Sequence, residues 1–247
     1  MFAILQISDS NAIFRRPKIY SQRITVPGGD AFFIVTAEKH FGRVPWKKLE
    51  NCLGILKKDI ILNGNIALPE SSGITLFTPD IFPRLLLINS ATDYILKHKS
   101  DFTSKSLTIL DEEGLYSNHI EKLLHCFANI KIITHQAEIY DNLSQKLMEN
   151  YGFSLIVTSA ESYDSDVIIS HRCRVPIYFS GTVFSNEKKT IINGKVFTGR
   201  DVTLPTEYEK LNTCNIDPVM FASALYEKSA CCNLSVLRYR ELTPTIS

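Results

Sequence analysis

The sequence predicts an α/β fold: a mostly parallel sheet flanked by helices, preceded by a small mixed α+β domain. Three observations carry this. From about residue 104, short β-rich runs alternate with amphipathic helical stripes, the pattern of right-handed βαβ crossovers. The first 75 residues hold β-rich runs broken by Pro and Gly-Gly instead. At 247 residues the chain can bury a real core as one large domain or two small ones.

In chain order, "FAILQIS", "KIYSQRITVP" and "DAFFIVTA" are the early strands. Residues 45–58 then place Trp46, Leu49, Leu53 and Leu56 on helical spacing. Lys47, Lys48, Lys57 and Lys58 fall mostly on the other face, which reads as solvated or as a surface for an acidic partner. A loop, "NGNIALPESSG", leads to "TPDIFPRLLLINSATDYILKHKS". There Thr78 is the expected cap, Pro79 the first helical residue, and Asp80 complements the dipole. These signals divide the chain into a mixed domain (1–75), a connecting helix (76–103) and an α/β domain (104–247).

Within the last region "SLTIL" is the first strand. Ile120, Leu123, Leu124 and Phe127 then form a helical stripe, with Asn118 and Glu121 spaced as a capping pair. "IKIIT" is the second strand. Ile139, Tyr140, Leu143, Leu147 and Met148 make the next helix, closed by Gly152 in a left-handed cap. "SLIVT", "DVIIS" and "VPIYFS" are the third, fourth and fifth strands. Asn193-Gly194 within "TIINGKVFTG" suits a type I′ hairpin. "DPVMFASALYEKSA" is a last helix, capped by Asp217 with Pro218 at its first position, and "VLRYRELTPTIS" packs as an edge segment or frays.

Bulk properties exclude more than they select. Apolar residues make up 45%, charged residues 21%, and the formal charge is +1, so nothing favours nucleic acid or a membrane surface as partner. No apolar run approaches the roughly 18 residues of a membrane span. The start, "MFAILQISDSNAIFRR", reads as a strand rather than a signal peptide. Six cysteines without CxxC spacing point to reduced thiols in a cytoplasmic protein, with Cys231-Cys232 as a redox alternative. No metal site is expected; His171, Cys173 and Cys214 are the nearest approach to one. "FGRVPWKK" reads as a packed tryptophan before it reads as a nucleic-acid surface.

The segment 106–180 resembles the Rossmann-like NAD(P)-binding domain, in particular that of shikimate and alanine dehydrogenase-like enzymes. "LTILD", "IKIITH", "SLIVT" and "YDSDVIIS" carry the resemblance by their order and length. The whole chain also resembles an uncharacterised bacterial family. The domain resemblance implies a Rossmann-like sheet and, in an intact member, NAD(P) as cofactor.

The diagnostic turn departs from that pattern. In G-x-G-x-x-G the glycines let the backbone approach pyrophosphate. Here Asp111 and Glu113 stand near the first two glycine positions, and Gly114 is one residue out of register. At ~5 Å and an effective dielectric of about 20, each phosphate–carboxylate repulsion is about 3 kcal/mol. The second strand ends in His135-Gln136, where an acid usually meets the ribose. NAD(P) is therefore disfavoured.

The doubly wound rule still nominates a crevice at the carboxyl ends of the strands. Asp111, Glu112, Glu113, Gly114, His135, Ser170, His171 and Arg172 are its candidate ligand-binding residues; no catalytic residue is nominated. If the first and fourth strands are neighbours, Glu112 or Glu113 comes near His171 and Arg172. That is either a proton-transfer pair or polar-ligand site, or a salt bridge in which Arg172 neutralises the acidic turn. The function expected is a non-catalytic binding or interaction protein that takes a small molecule. The alternative is a divergent NAD(P)-dependent oxidoreductase-like enzyme. Oligomeric state is not readable.

Overall fold

The computed structural model describes residues 1–9, 18–39, 42–64, 66–172, 178–187 and 194–246. In chain order its elements are β1 (Ala3–Ser8), β2 (Ile19–Ile24), β3 (Phe32–Glu38), α1 (Trp46–Leu53), β4 (Ile60–Asn63), α2 (Ile81–Lys97), β5 (Ser106–Leu110) and α3 (Ser117–Leu123). They continue with β6 (Asn129–Ile133), α4 (Ala137–Tyr151), β7 (Ile156–Thr158), β8 (Val167–Ser170), β9 (Thr182–Phe184), β10 (Lys195–Val202), α5 (Thr206–Glu209), α6 (Pro218–Ser229) and β11 (Tyr239–Ile246).

The chain forms two compact units, 1–82 with 204–235, and 83–203 with 236–247. These borders differ from the three consecutive segments expected. α2 falls almost wholly in the second unit, and residues 204–235 belong with the first.

The first unit carries a four-stranded sheet in the order β2-β3-β1-β4. β1 runs parallel to β3 and β4, and β2 antiparallel to β3. Leu49 and Leu53 of α1 are buried against Ala3, Leu5 and Val35, with Trp46 packed beside them. Lys47 and Lys48 are exposed, and Lys57 pairs with Glu50 at 3.0 Å. α6 buries Phe221, Ala222, Ala224 and Leu225 completely. Phe221 meets Phe2 and Phe32 edge-on at 6.5 and 5.6 Å, so the last helix completes the core of the first strands. Its start is as expected: Asp217 accepts from Met220 N at 2.9 Å, with Pro218 inside the first turn.

The second unit carries a seven-stranded sheet, β11-β10-β9-β8-β5-β6-β7. Strands β5 to β10 are parallel, and β11 closes one edge antiparallel to β10. The chain steps outward from β5 to β7, returns to the other side of β5 as β8, then steps outward again. This is the Rossmann-like order, with its reversal between β5 and β8.

Parity separates the two faces. Leu107, Ile109, Ile130, Ile132, Val167, Ile169, Phe184 and Phe197 share one face and form one core with α2, α3 and α4. Ile168, Val183 and Val196 share the other, covered by Tyr163 and Phe179. There the connection from β7 to β8 crosses back: Ser165 Oγ bonds Thr108 Oγ1 at 2.6 Å, and Lys131 Nζ donates to Ser162 Oγ at 2.9 Å.

Several local expectations shift. α2 begins at Ile81, not Pro79, and its entry is held by Glu227, whose carboxylate accepts from Asp80 N (3.1 Å) and Phe82 N (2.9 Å). α3 begins at Ser117, so Asn118 lies inside it and caps nothing; Glu121 instead accepts from the Tyr151 hydroxyl. Gly152 does adopt the left-handed cap, at φ 65°. Of "VPIYFS", residues 178–180 are not strand, and the fifth strand is β9 at 182–184. Residues 175–177 lie outside the described ones, as does Asn193. β10 exists, but both its edges are taken, by β9 and β11.

Among the described residues, no helix is long and apolar enough to cross a membrane, and no group of three His, Cys, Asp or Glu side chains could hold a metal. Cys173 lies outside them. Cys214 is buried, and burial pushes the Cys231 thiol up to about 11, so it is no ready thiolate for redox chemistry beside Cys232.

Candidate functional site

Odd-numbered residues of β5 face the helices, so Asp111, one step past the strand, turns inward with Leu107 and Ile109. It is 2% exposed. Its Oδ2 accepts from Tyr116 N at 2.7 Å and from the Tyr140 hydroxyl of α4. Tyr116 N sits where α3 begins. In an intact dinucleotide-binding turn that end of the helix faces pyrophosphate. Here the chain's own carboxylate occupies the anion's place.

Burial, reinforced by the Asp111 charge, raises the hydroxyls of Tyr140 and Tyr116 far above the ordinary tyrosine range. Both therefore remain protonated donors. The Tyr116 hydroxyl is buried without a hydrogen-bond partner among the described residues.

The rest of the turn is also committed. Glu113 pairs with Arg84 Nη1 at 3.1 Å, Arg84 being only 13% exposed. The acidic turn is thus neutralised from α2, and not by Arg172 as one sequence reading had it. Gly114 stands at φ 79°, a left-handed conformation that favours glycine, and the Cβ it lacks would meet Ile139 Cδ1 at 2.6 Å. Its glycine character serves the turn and α4, not a phosphate. These residues do not fit a dinucleotide pyrophosphate.

At the switch point itself a cavity of about 90 Å³ is lined by Arg84, Leu110, Asp111, Glu112, Tyr116, Ser170, His171 and Arg172. The neighbouring of β5 and β8 brings the two ends together, Leu110 lying beside Ser170 in register. Five of the eight nominated residues meet here: Asp111, Glu112, Ser170, His171 and Arg172. Glu113 reaches the site only through Arg84. Gly114 does not line it. His135 borders a separate cleft of about 30 Å³ with Thr134, Ser159 and Glu161.

The β8 side is organised by Asn186. Its Nδ2 donates to Pro83 O at 2.9 Å, which fixes the amide's orientation because a carbonyl can only accept. The same nitrogen lies 2.7 Å from His171 Nδ1, so that ring nitrogen accepts and the ring proton is on Nε2. Asn186 Oδ1 accepts from the Tyr239 hydroxyl at 2.7 Å. Ser170 Oγ donates to Arg172 O, turning the chain after the strand.

A larger cavity, about 770 Å³, opens at the amino ends of the strands beside Lys105, Asp166, Gly181 and Lys195. Asp166 there is engaged by Ser106 N and Oγ at 2.8 and 2.7 Å, which hold its carboxyl below the usual range. The carboxyl-end crevice remains the candidate, since ligands of doubly wound sheets sit at that end.

Sequence reasoning missed Arg84, Tyr116 and Tyr140 as members of this site. The lone arginine in "FPRLLLI" was a usable signal, because a cation within an apolar helical run requires a partner. Tyr140 read only as part of an apolar helical stripe, and Tyr116 was not singled out.

Fold and crevice together define a Rossmann-like α/β protein with an acidic turn after β5. No family model matches the chain, and no curated protein matches it. Among solved structures the chain is similar to the crystal structure of L-tryptophan dehydrogenase from Nostoc punctiforme, at 8% identity and a TM-score of 0.29. The match covers 79% of this chain and 58% of that one, so the chain spans less than two thirds of that enzyme. Likeness at this level carries no functional argument; the fold assignment rests on strand order and register.

Proposed function

We propose that this is a non-catalytic binding protein, cytoplasmic with reduced thiols, whose Rossmann-like unit takes a small polar molecule at its switch point and no longer takes NAD(P). One observation carries the reading: Asp111 Oδ2 holds Tyr116 N at 2.7 Å from a buried position. A pyrophosphate would have to displace a carboxylate that also binds Tyr140, and it would then face that same negative charge. The size of the cavity supports the same reading, since sites for drug-sized ligands enclose about 300–1,000 Å³. The rival reading, a divergent NAD(P)-dependent oxidoreductase-like enzyme, has the retained strand order in its favour.

Thermal unfolding with and without millimolar NAD(H) and NADP(H) separates the two. A cofactor at 100 times its dissociation constant stabilises by about 2.7 kcal/mol, which in a unit of this size raises Tm by roughly 5–11 °C. No shift is expected. A rise of that size would overturn the proposal.

A further inference from the structure

The cavity between β5 and β8 presents hydrogen-bond groups of opposite character. Both bonds to Asp111 fall on Oδ2, and Oδ1 accepts from none of the described residues although the residue is 2% exposed. The Tyr116 hydroxyl, in a residue 1% exposed, also has no partner among them. Arg172, on the β8 side, forms no ion pair with any described residue. A cavity of about 90 Å³ has room for about six to nine water-sized groups.

These facts constrain a ligand by elimination. A plain anion would suit Arg172 but would be brought against the Asp111 carboxylate. A plain cation would suit Asp111 and Glu112 but would be brought against the Arg172 guanidinium. An apolar molecule would cover the Asp111 carboxylate oxygen and leave it without a partner, which is costly. A molecule with a donor cation at one end and a carboxylate at the other satisfies both Asp111 and Arg172, the carboxylate matching the arginine fork.

Resting on the binding role proposed above, we infer that this cavity takes a small zwitterion. Its ammonium is held by Asp111 Oδ1 and its carboxylate by the Arg172 guanidinium.

Calorimetric titration of the full chain with γ-aminobutyrate, butyrate and butylamine isolates the two charges on one chain length. The zwitterion is expected to bind about tenfold or more tightly than either half. Arg172→Gln should reduce the zwitterion to the level of butylamine. Asp111→Asn keeps an oxygen to accept from Tyr116 and Tyr140 and replaces Oδ1 by a donor, so the preference over butyrate should vanish. A urea transition for each variant verifies that it is folded.

Butyrate binding as well as the zwitterion, a preference that survives both substitutions, or no binding of any of the three at ~10 mM would each overturn the inference. NADH in the same titration is the separate control. If it binds, the closed-turn reading fails, whatever the series shows.

Discussion

The two sides of the crevice use the same residue types for different ends. After β5, the polar residues serve the fold: Asp111 Oδ2 satisfies Tyr116 N and Tyr140, and Glu113 neutralises Arg84. After β8, the backbone is held by Asn186, Ser185 and Ser170, and Arg172 is left facing the cavity. The acidic turn is therefore built into the fold through Asp111 Oδ2 and Glu113, while the turn after β8 keeps its arginine toward the cavity.

The comparison breaks most sharply at Asp111. Asp111→Ala removes two hydrogen bonds to a charged acceptor, each worth about 1.5–3 kcal/mol, and should cost about 3–6 kcal/mol in urea unfolding. A loss below about 1 kcal/mol would mean the turn is not held as described. Tyr140→Phe deletes one of the two bonds and should cost about 1.5–3 kcal/mol. A double substitution losing no more than Asp111→Ala alone would show that the two residues act as one unit.

A smaller, pH-dependent effect lies just beyond the turn. Burial, with Lys122 adding to it, holds the His119 imidazole of α3 below its ordinary 6.5, and its Nδ1 is buried without a partner among the described residues. The unfolded chain therefore takes up this proton at higher pH than the folded one. The contribution is full above the unfolded value and is lost as pH falls from there through the folded value. Below about pH 6.5, His119→Asn should show a flatter dependence of stability on pH than the wild type. A parallel pair of curves would remove His119 from the account. Smallest of all, Arg172→Gln should change stability by less than about 0.5 kcal/mol, because an exposed side chain without an ion pair among the described residues supports ligand rather than fold.

Local periodicity was a good guide where a signal and its partner are close in sequence. The strand at 106–110, the Gly152 cap and the Asp217–Pro218 helix start are all written within a few residues. It failed where the partner is remote. The entry of α2 depends on Glu227, some 145 residues away, so Thr78-Pro79-Asp80 misplaced the boundary. Asn118 and Glu121 had the spacing of a capping box, but the buried Asp111 had already satisfied the backbone at that end. Of the site, the crevice residues on β5 and β8 were legible from strand ends. Arg84 was not, because α2 comes before the sheet in sequence and only packing brings its guanidinium to the turn.

The sequence by itself determined the class of fold, the positions of most of its strands, and the acidic character of the turn after β5, because side-chain period and turn chemistry are local properties. The tertiary structure decided which carboxylate turns inward, which arginine answers the acidic turn, and with which unit the last helix packs. Those outcomes depend on the register of β5 beside β8 and on buried charges finding partners, and neither is encoded within any one stretch of the chain.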